Sequence, residues 1–101
     1  MATLELLKRE HAAVLGDEAL EKTLRARGLS IFKWSDGPGT TYSPHCHSHD
    51  EYIVVVEGSI EFTVLGQVYL MEPGDELVLP EGTMHSAYVP GDDPVHYLIC
   101  S

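Results

Sequence analysis

GTTYSPHCHSHDEYIVVVEG, residues 39 to 58, is the stretch whose reading decides the fold. It follows the pattern Gly39-x5-His45-x-His47-x3-Glu51-x6-Gly58, with three metal-ligand types ahead of an apolar run that closes on glycine. After 15 further residues comes a second pattern, Gly74-x5-Pro80-x-Gly82-x2-His85, which adds another imidazole. Imidazole nitrogen and carboxylate oxygen together suit Fe, Mn, Co, Ni, Cu or Zn, whereas Mg and Ca prefer sites made of oxygen alone. A His-x-His pair is often no more than a histidine-rich surface loop. That reading weakens here, because Glu51 and His85 sit beside apolar strand-like segments that face an interior, where an unpaired charge is costly.

His45, His47, His49 and Glu51 share one parity, so an uninterrupted strand would point all four to one face and Cys46 to the other. From Leu29 onward the apolar period is two, and strands are expected at 29–34, 41–47, 51–57, 60–65, 68–71, 76–79, 85–89 and 95–100. Turns are marked by Asp36-Gly-Pro-Gly39, Gly58-Ser59, Gly66-Gln67, Pro73-Gly74, Glu81-Gly82 and the segment Pro90 to Pro94. Many short strands with no helix between them imply an all-β sandwich or barrel. Upstream, residues 3 to 27 read as a pair of short helices on the outside of the barrel. Leu4, Leu7, His11, Val14 and Leu15 recur at helical intervals after Thr3; Asp17 is the expected cap of a second helix carrying Leu20 and Leu24, and Gly28 its stop. The whole chain, 1–101, is expected to be one domain, with helices in 1–28 and the β-barrel in 29–101.

Charge narrows the range of partners. The net charge of −10 disfavours nucleic acid and anionic membrane surfaces, both of which reward basic patches. No apolar run has the length of a membrane span, and the amino terminus lacks the order of a signal peptide, so the expected location is cytoplasmic. In that compartment Cys46 and Cys100 are expected as free thiols. Five of the six cations, Lys8, Arg9, Lys22, Arg25 and Arg27, precede residue 28; after them only Lys33 remains, against eleven acids from Asp36 to Asp93.

The two patterns resemble the paired motifs of the cupin superfamily over residues 39–58 and 74–89, at every metal-ligand position. The resemblance implies an antiparallel jelly-roll barrel, often homodimeric, that holds a divalent transition metal through His45, His47, Glu51 and His85. It gives Gly39, Gly58, Gly74, Pro80 and Gly82 the role of shaping turns. Val89 stands where an asparagine often closes the second motif, a departure that touches a local hydrogen bond and no ligand. In cupins the segment before the glutamate bends between strands, which places His49 near the barrel mouth and outside the ligand set; a substitute or fifth ligand is the other reading. His11 and His96 lie outside both motifs and are expected on the surface or in packing.

A resemblance at this level leaves function open between an enzyme and a binding module. The first reading is a metal-dependent, dioxygenase-like oxidoreductase, in which Glu51 is a ligand and, in a secondary reading, a general base. From Trp34 to Ser101 there is no Lys or Arg, so the expected small-molecule ligand is neutral or chelates the metal directly. The alternatives are a non-catalytic, metal-dependent sensor and a structural zinc site. Phe32, Trp34, Tyr42, Phe62, Met84, Tyr88 and Tyr97 are candidates for core or pocket lining. Of these, Tyr42 and Phe62 are expected in the core, and parity turns Ala87 inward and Tyr88 outward.

Overall fold

A computed structural model describes residues 3–8 and 16–101. Along the chain the elements are β1 (Glu5–Leu7), α1 (Gly16–Ala26), β2 (Ile31–Asp36), β3 (Thr41–His45), β4 (Glu51–Glu57), β5 (Ile60–Val64), β6 (Gln67–Met71), β7 (Glu76–Leu79), β8 (His85–Tyr88) and β9 (Val95–Cys100). One sheet runs β1-β7-β4-β9-β2 and the other β3-β8-β5-β6, and every pairing is antiparallel. The order has the crossovers of a jelly roll. Among the described residues no ladder joins the two sheets, so the expected closed barrel is instead a two-sheet sandwich.

β4 shows why its sequence is apolar on both parities. Ile53 and Val55 face the core between the sheets, with Leu77, Leu79, Val95 and Tyr97 on one side and Ile60, Phe62 and Val64 on the other. Val54 faces the opposite way and packs with Leu98, Cys100 and Leu24 of α1. The five-stranded sheet is therefore covered on both faces, and its central strands read as continuous apolar runs. The helix stays in place through Leu20 and Leu24, its apolar face, and ends in a Schellman closure. There Gly28, at φ 85°, donates to Arg25 O at 2.9 Å and Leu29 donates to Leu24 O at 3.3 Å. That closure occupies Leu29, which is why β2 begins at Ile31 and not at the expected residue 29.

The amino-terminal expectation needs correction. Where the first helix was expected, Glu5–Leu7 form β1, with Glu5, Leu6 and Leu7 opposite Val78, Leu77 and Glu76. Local helical spacing loses here to the open edge of β7 and to burial of Leu4 and Leu6 against the core. His11, Val14 and Leu15, the rest of that expected helix, lie outside the described residues. The second expected helix is α1, which begins one residue ahead of Asp17.

Among the described residues, three ion pairs fasten this amino-terminal layer to the sheet. Arg27 forms a two-pronged pair with buried Glu76, at 2.9 Å to each oxygen. Lys8 pairs with buried Asp75, and Lys33 reaches Glu21 at 2.9 Å. At the β4–β5 turn, Gly58 has φ 79° and lies against the backbone of Pro94 and Val95.

Candidate metal centre

Antiparallel register brings the two motifs together. β3 and β8 pair so that His45 stands directly opposite His85, with ring centroids 4.4 Å apart. The ring of His47 lies 5.0 Å from that of His45 and 5.4 Å from that of His85. β3 stops at His45, two residues earlier than expected, so His47 and His49 reach the site from a bend and not by strand parity. The bend is fastened from the second motif: the Gly82 amide donates to His47 O at 2.8 Å, and the Glu81 amide donates to Asp50 Oδ1 at 2.8 Å. The Pro80-x-Gly82 turn thus helps to place a histidine more than thirty residues upstream.

The histidine nitrogens are presorted for coordination. Nδ1 of His45 lies 2.7 Å from Ser43 O, and Nδ1 of His85 lies 2.9 Å from Thr83 O. A carbonyl only accepts, so each Nδ1 carries the hydrogen and each Nε2 keeps a free lone pair. Burial pushes the His85 pKa down, and the neighbouring His45 and His47 push it further. A neutral ring has no proton to give up when a cation binds.

Ligand atoms of His45, His47 and His85 lie within 4.8 Å of one another, and so do those of His47, His49 and Glu51. Nε2 of His47 is 3.4 Å from Glu51 Oε1, and Nε2 of His49 is 3.7 Å from Glu51 Oε2. The four residues named from the motifs therefore divide into a tight histidine trio and a carboxylate joined to it through His47. His49 thus stands near Glu51, slightly farther off than His47. His96 lies apart, exposed, 2.8 Å from Ser35 Oγ. Cys46 is exposed, Cys100 is buried, and both thiols are free; burial pushes that of Cys100 up to about 11.

The histidines line one side of a cavity of about 390 Å³ between the sheets. Its other walls are aromatic and aliphatic: Phe32, Trp34, Tyr42, Ile53, Phe62, Ala87, Tyr97 and Ile99. Ala87 faces inward and Tyr88 outward, as parity requires, and Met84 is exposed away from the cavity. Tyr42 and Phe62 were expected in the core, yet both line the cavity as well as touching the core. Phe32 and Trp34 stack with ring centroids 5.5 Å apart. Among the described residues, no Lys or Arg lines this cavity.

Asp36 is the residue that sequence reasoning missed. Its Oδ1 accepts from the Tyr42 hydroxyl at 2.7 Å and from the Trp34 indole at 3.2 Å, and its Oδ2 accepts from the Tyr97 hydroxyl at 2.6 Å. The Asp36-Gly-Pro-Gly turn signal hid it, although Phe32, Trp34 and Asp36 share parity on β2. Burial raises the pKa of both phenols, strongly for Tyr97, and the bonds to Asp36 raise them further. A raised folded-state pKa stabilises below the unfolded value, about 10 for tyrosine, and that contribution is lost as pH rises through the folded value. In an ultraviolet titration, two of the five tyrosines are expected to ionise only together with loss of the far-ultraviolet circular dichroism signal. Ionisation of all five before any unfolding would contradict this network.

The donor set suits a first-row transition ion on its own chemistry: imidazole nitrogens of His45, His47 and His85 within 4.8 Å of one another, with the buried carboxylate of Glu51 beside His47. A family model described as "Cupin domain" matches residues 32–100. Quercetin 2,3-dioxygenase of Bacillus subtilis (strain 168) is 37% identical over 71 residues, covering 63% of this chain and 21% of the dioxygenase. The chain therefore spans about a fifth of that relative's length. Among solved structures, KdgF from Halomonas sp. is 31% identical with a TM-score of 0.64, over 72% of this chain and 67% of that one. The DMSP lyase DddQ from Ruegeria pomeroyi DSS-3 is 26% identical with a TM-score of 0.65, over 71% of this chain and 36% of its own. No described helix is long and apolar enough to cross a membrane. With both motifs meeting across the β3–β8 ladder and the family model running from β2 to the end of β9, this chain belongs to the cupins.

Proposed function

We propose that this protein is a metal-dependent oxidoreductase of dioxygenase type, acting on a small neutral or metal-chelating molecule, with His45, His47, Glu51 and His85 as the ligands of the ion. The observation that carries the reading is the cavity: about 390 Å³, walled by aromatic and aliphatic side chains, open to the histidine trio and, among the described residues, lined by no cation. Sites for phosphates or carboxylates use Arg or Lys to hold the anion. Here, among the described residues, Lys8, Arg25, Arg27 and Lys33 pair with carboxylates outside the cavity, which leaves an entering molecule no charged side chain of opposite sign to an anion. The similarity to a quercetin 2,3-dioxygenase supports the same class of chemistry.

When bound, the ion supplies Lewis acidity and a position where the substrate's oxygen donors are oriented. The chain's own groups do the rest. Ser43 O and Thr83 O hold the His45 and His85 rings in one tautomer, which fixes where their Nε2 lone pairs point. The stacked Phe32 and Trp34, with Phe62 across the cavity, offer flat apolar faces to a planar substrate. Glu51 sits at the start of β4 with one oxygen toward His47, where it can hold a proton taken from a hydroxyl of the bound molecule.

Elemental analysis of the native protein and oxygen uptake with quercetin as probe test the proposal together. Iron, manganese, nickel, cobalt or copper with quercetin-dependent oxygen consumption is the expected result. A zinc ion with four protein ligands and no oxygen uptake would sink it in favour of a structural role. Metal-dependent ligand binding without turnover would move the protein to the class of sensors.

A further inference from the structure

The two ligand groups of this site share one residue, His47. His47 belongs to the group with His45 and His85 and, through Nε2 3.4 Å from Glu51 Oε1, to the group with His49 and Glu51; one imidazole nitrogen binds one ion at a time. We propose that His47, His49 and Glu51 form an outer cation position through which an ion passes before it settles against His45, His47, Glu51 and His85. The proposal rests on the metal-binding reading above and assigns His49 a role that the motifs do not give it.

The spacings carry the first part of the argument. The contacts of Glu51 with His47 and His49, 3.4 and 3.7 Å, are too long for hydrogen bonds. Two donors bound to one first-row ion at about 2.1 Å are separated by about 3.0 Å in a cis-octahedral pair, about 3.4 Å in a tetrahedral one and about 4.2 Å across the ion. Both contacts fall in that window. Glu51 presents one oxygen to each ring, Oε1 to His47 and Oε2 to His49.

The exposure gradient carries the second part. The His49 side chain is 53% exposed, that of His47 is 35% exposed, and His85 is 4% exposed. An ion arriving from solvent meets His49 first and reaches His85 last. The bend of residues 46–50 keeps the outer group in place, since both its carbonyl at His47 and the Asp50 carboxylate are held by amides of the second motif. Because His47 and Glu51 serve both the outer and the inner position, ligands exchange singly and the ion is never returned to water.

Trp34, the single tryptophan and a wall of the same cavity, reports arrival of the ion. Metal-free protein mixed with Co(II) in a stopped-flow instrument gives the uptake rate from Trp34 fluorescence, and a chelator gives the release rate. His49 is exposed, so His49→Ala keeps the fold. A transit position lowers the same barrier in both directions, so this variant is expected to take up and release Co(II) about tenfold more slowly at unchanged affinity. In a second arm, His45→Ala is expected to retain a weaker Co(II) site that His45→Ala/His49→Ala loses. An unchanged uptake rate in His49→Ala overturns the proposal. So does lost affinity at an unchanged uptake rate, which makes His49 a resident ligand, and so does equal Co(II) binding by the two variants of the second arm. Wild-type protein that binds no Co(II) removes the metal-binding reading itself, and this distinguishes the two failures.

Discussion

His47→Ala is expected to abolish metal loading while the fold survives. His47 is the one residue common to both ligand groups, so its loss leaves neither complete. Outer-shell changes at metal sites commonly cost 10–100-fold in affinity, and removal of a ligand is expected to exceed about a hundredfold. The structural cost is small by comparison. The side chain is about one-third exposed, sits on a bend outside any strand, and contributes its carbonyl, not its ring, to the bond with Gly82. Its removal opens no cavity in the core, so a change within about 1 kcal/mol is expected. Metal content after dialysis, set beside the circular dichroism spectrum and melting temperature, checks both halves. A variant that loads the wild-type amount of metal would show that the ligands are assigned wrongly.

Gly58→Ala is expected to be the most damaging of the glycine-to-alanine changes at Gly28, Gly37, Gly39, Gly58, Gly66, Gly82 and Gly91. The residue has φ 79°, where a side chain costs about 1–3 kcal/mol. An added Cβ would also overlap the Pro94 carbonyl oxygen and come within 2.9 Å of Val95 Cα. Backbone cannot rotate out of the way as a side chain can, so the β4–β5 turn must part from the segment that starts β9. The melting temperature is expected to fall by more than about 10 °C, given about 4–8 °C for each kcal/mol in a domain of this size. Gly66→Ala is the control: φ is 82°, yet nothing lies within 4 Å of the added carbon, so only the backbone strain is incurred. Equal melting temperatures for the two variants would show that the contact with Pro94 and Val95 contributes nothing.

The legibility of this chain follows the range of the forces involved. β4 and β9 were readable with their observed bounds because a run of apolar residues between turn formers is a local signal. β1 was not, since three residues carry no period, and their strand state comes from the waiting edge of β7. The candidate ligands His45, His47, Glu51 and His85 are legible from spacing, but the register that sets His45 opposite His85 is a property of the ladder and appears in neither motif alone. His49 was set aside at the rim on the expectation of a bend; the bend is there, and it turns the ring toward Glu51. Asp36 went unnoticed because its partners, Tyr42 and Tyr97, come from different sheets.

The amino-terminal layer sets a lower limit on how far this cupin can be trimmed. The family model begins at residue 32, inside β2, and a fragment cut to that boundary would keep every residue named from the metal motifs. It would also keep Asp75 and Glu76, buried side by side after Gly74, and lose Lys8 and Arg27, the cations paired with them. The outer faces of Val54, Leu98 and Cys100 would lose Leu24 at the same cut. The family match starts at residue 32, but the partners of two buried carboxylates lie ahead of it, so a fragment cut there is expected to melt lower than the full chain.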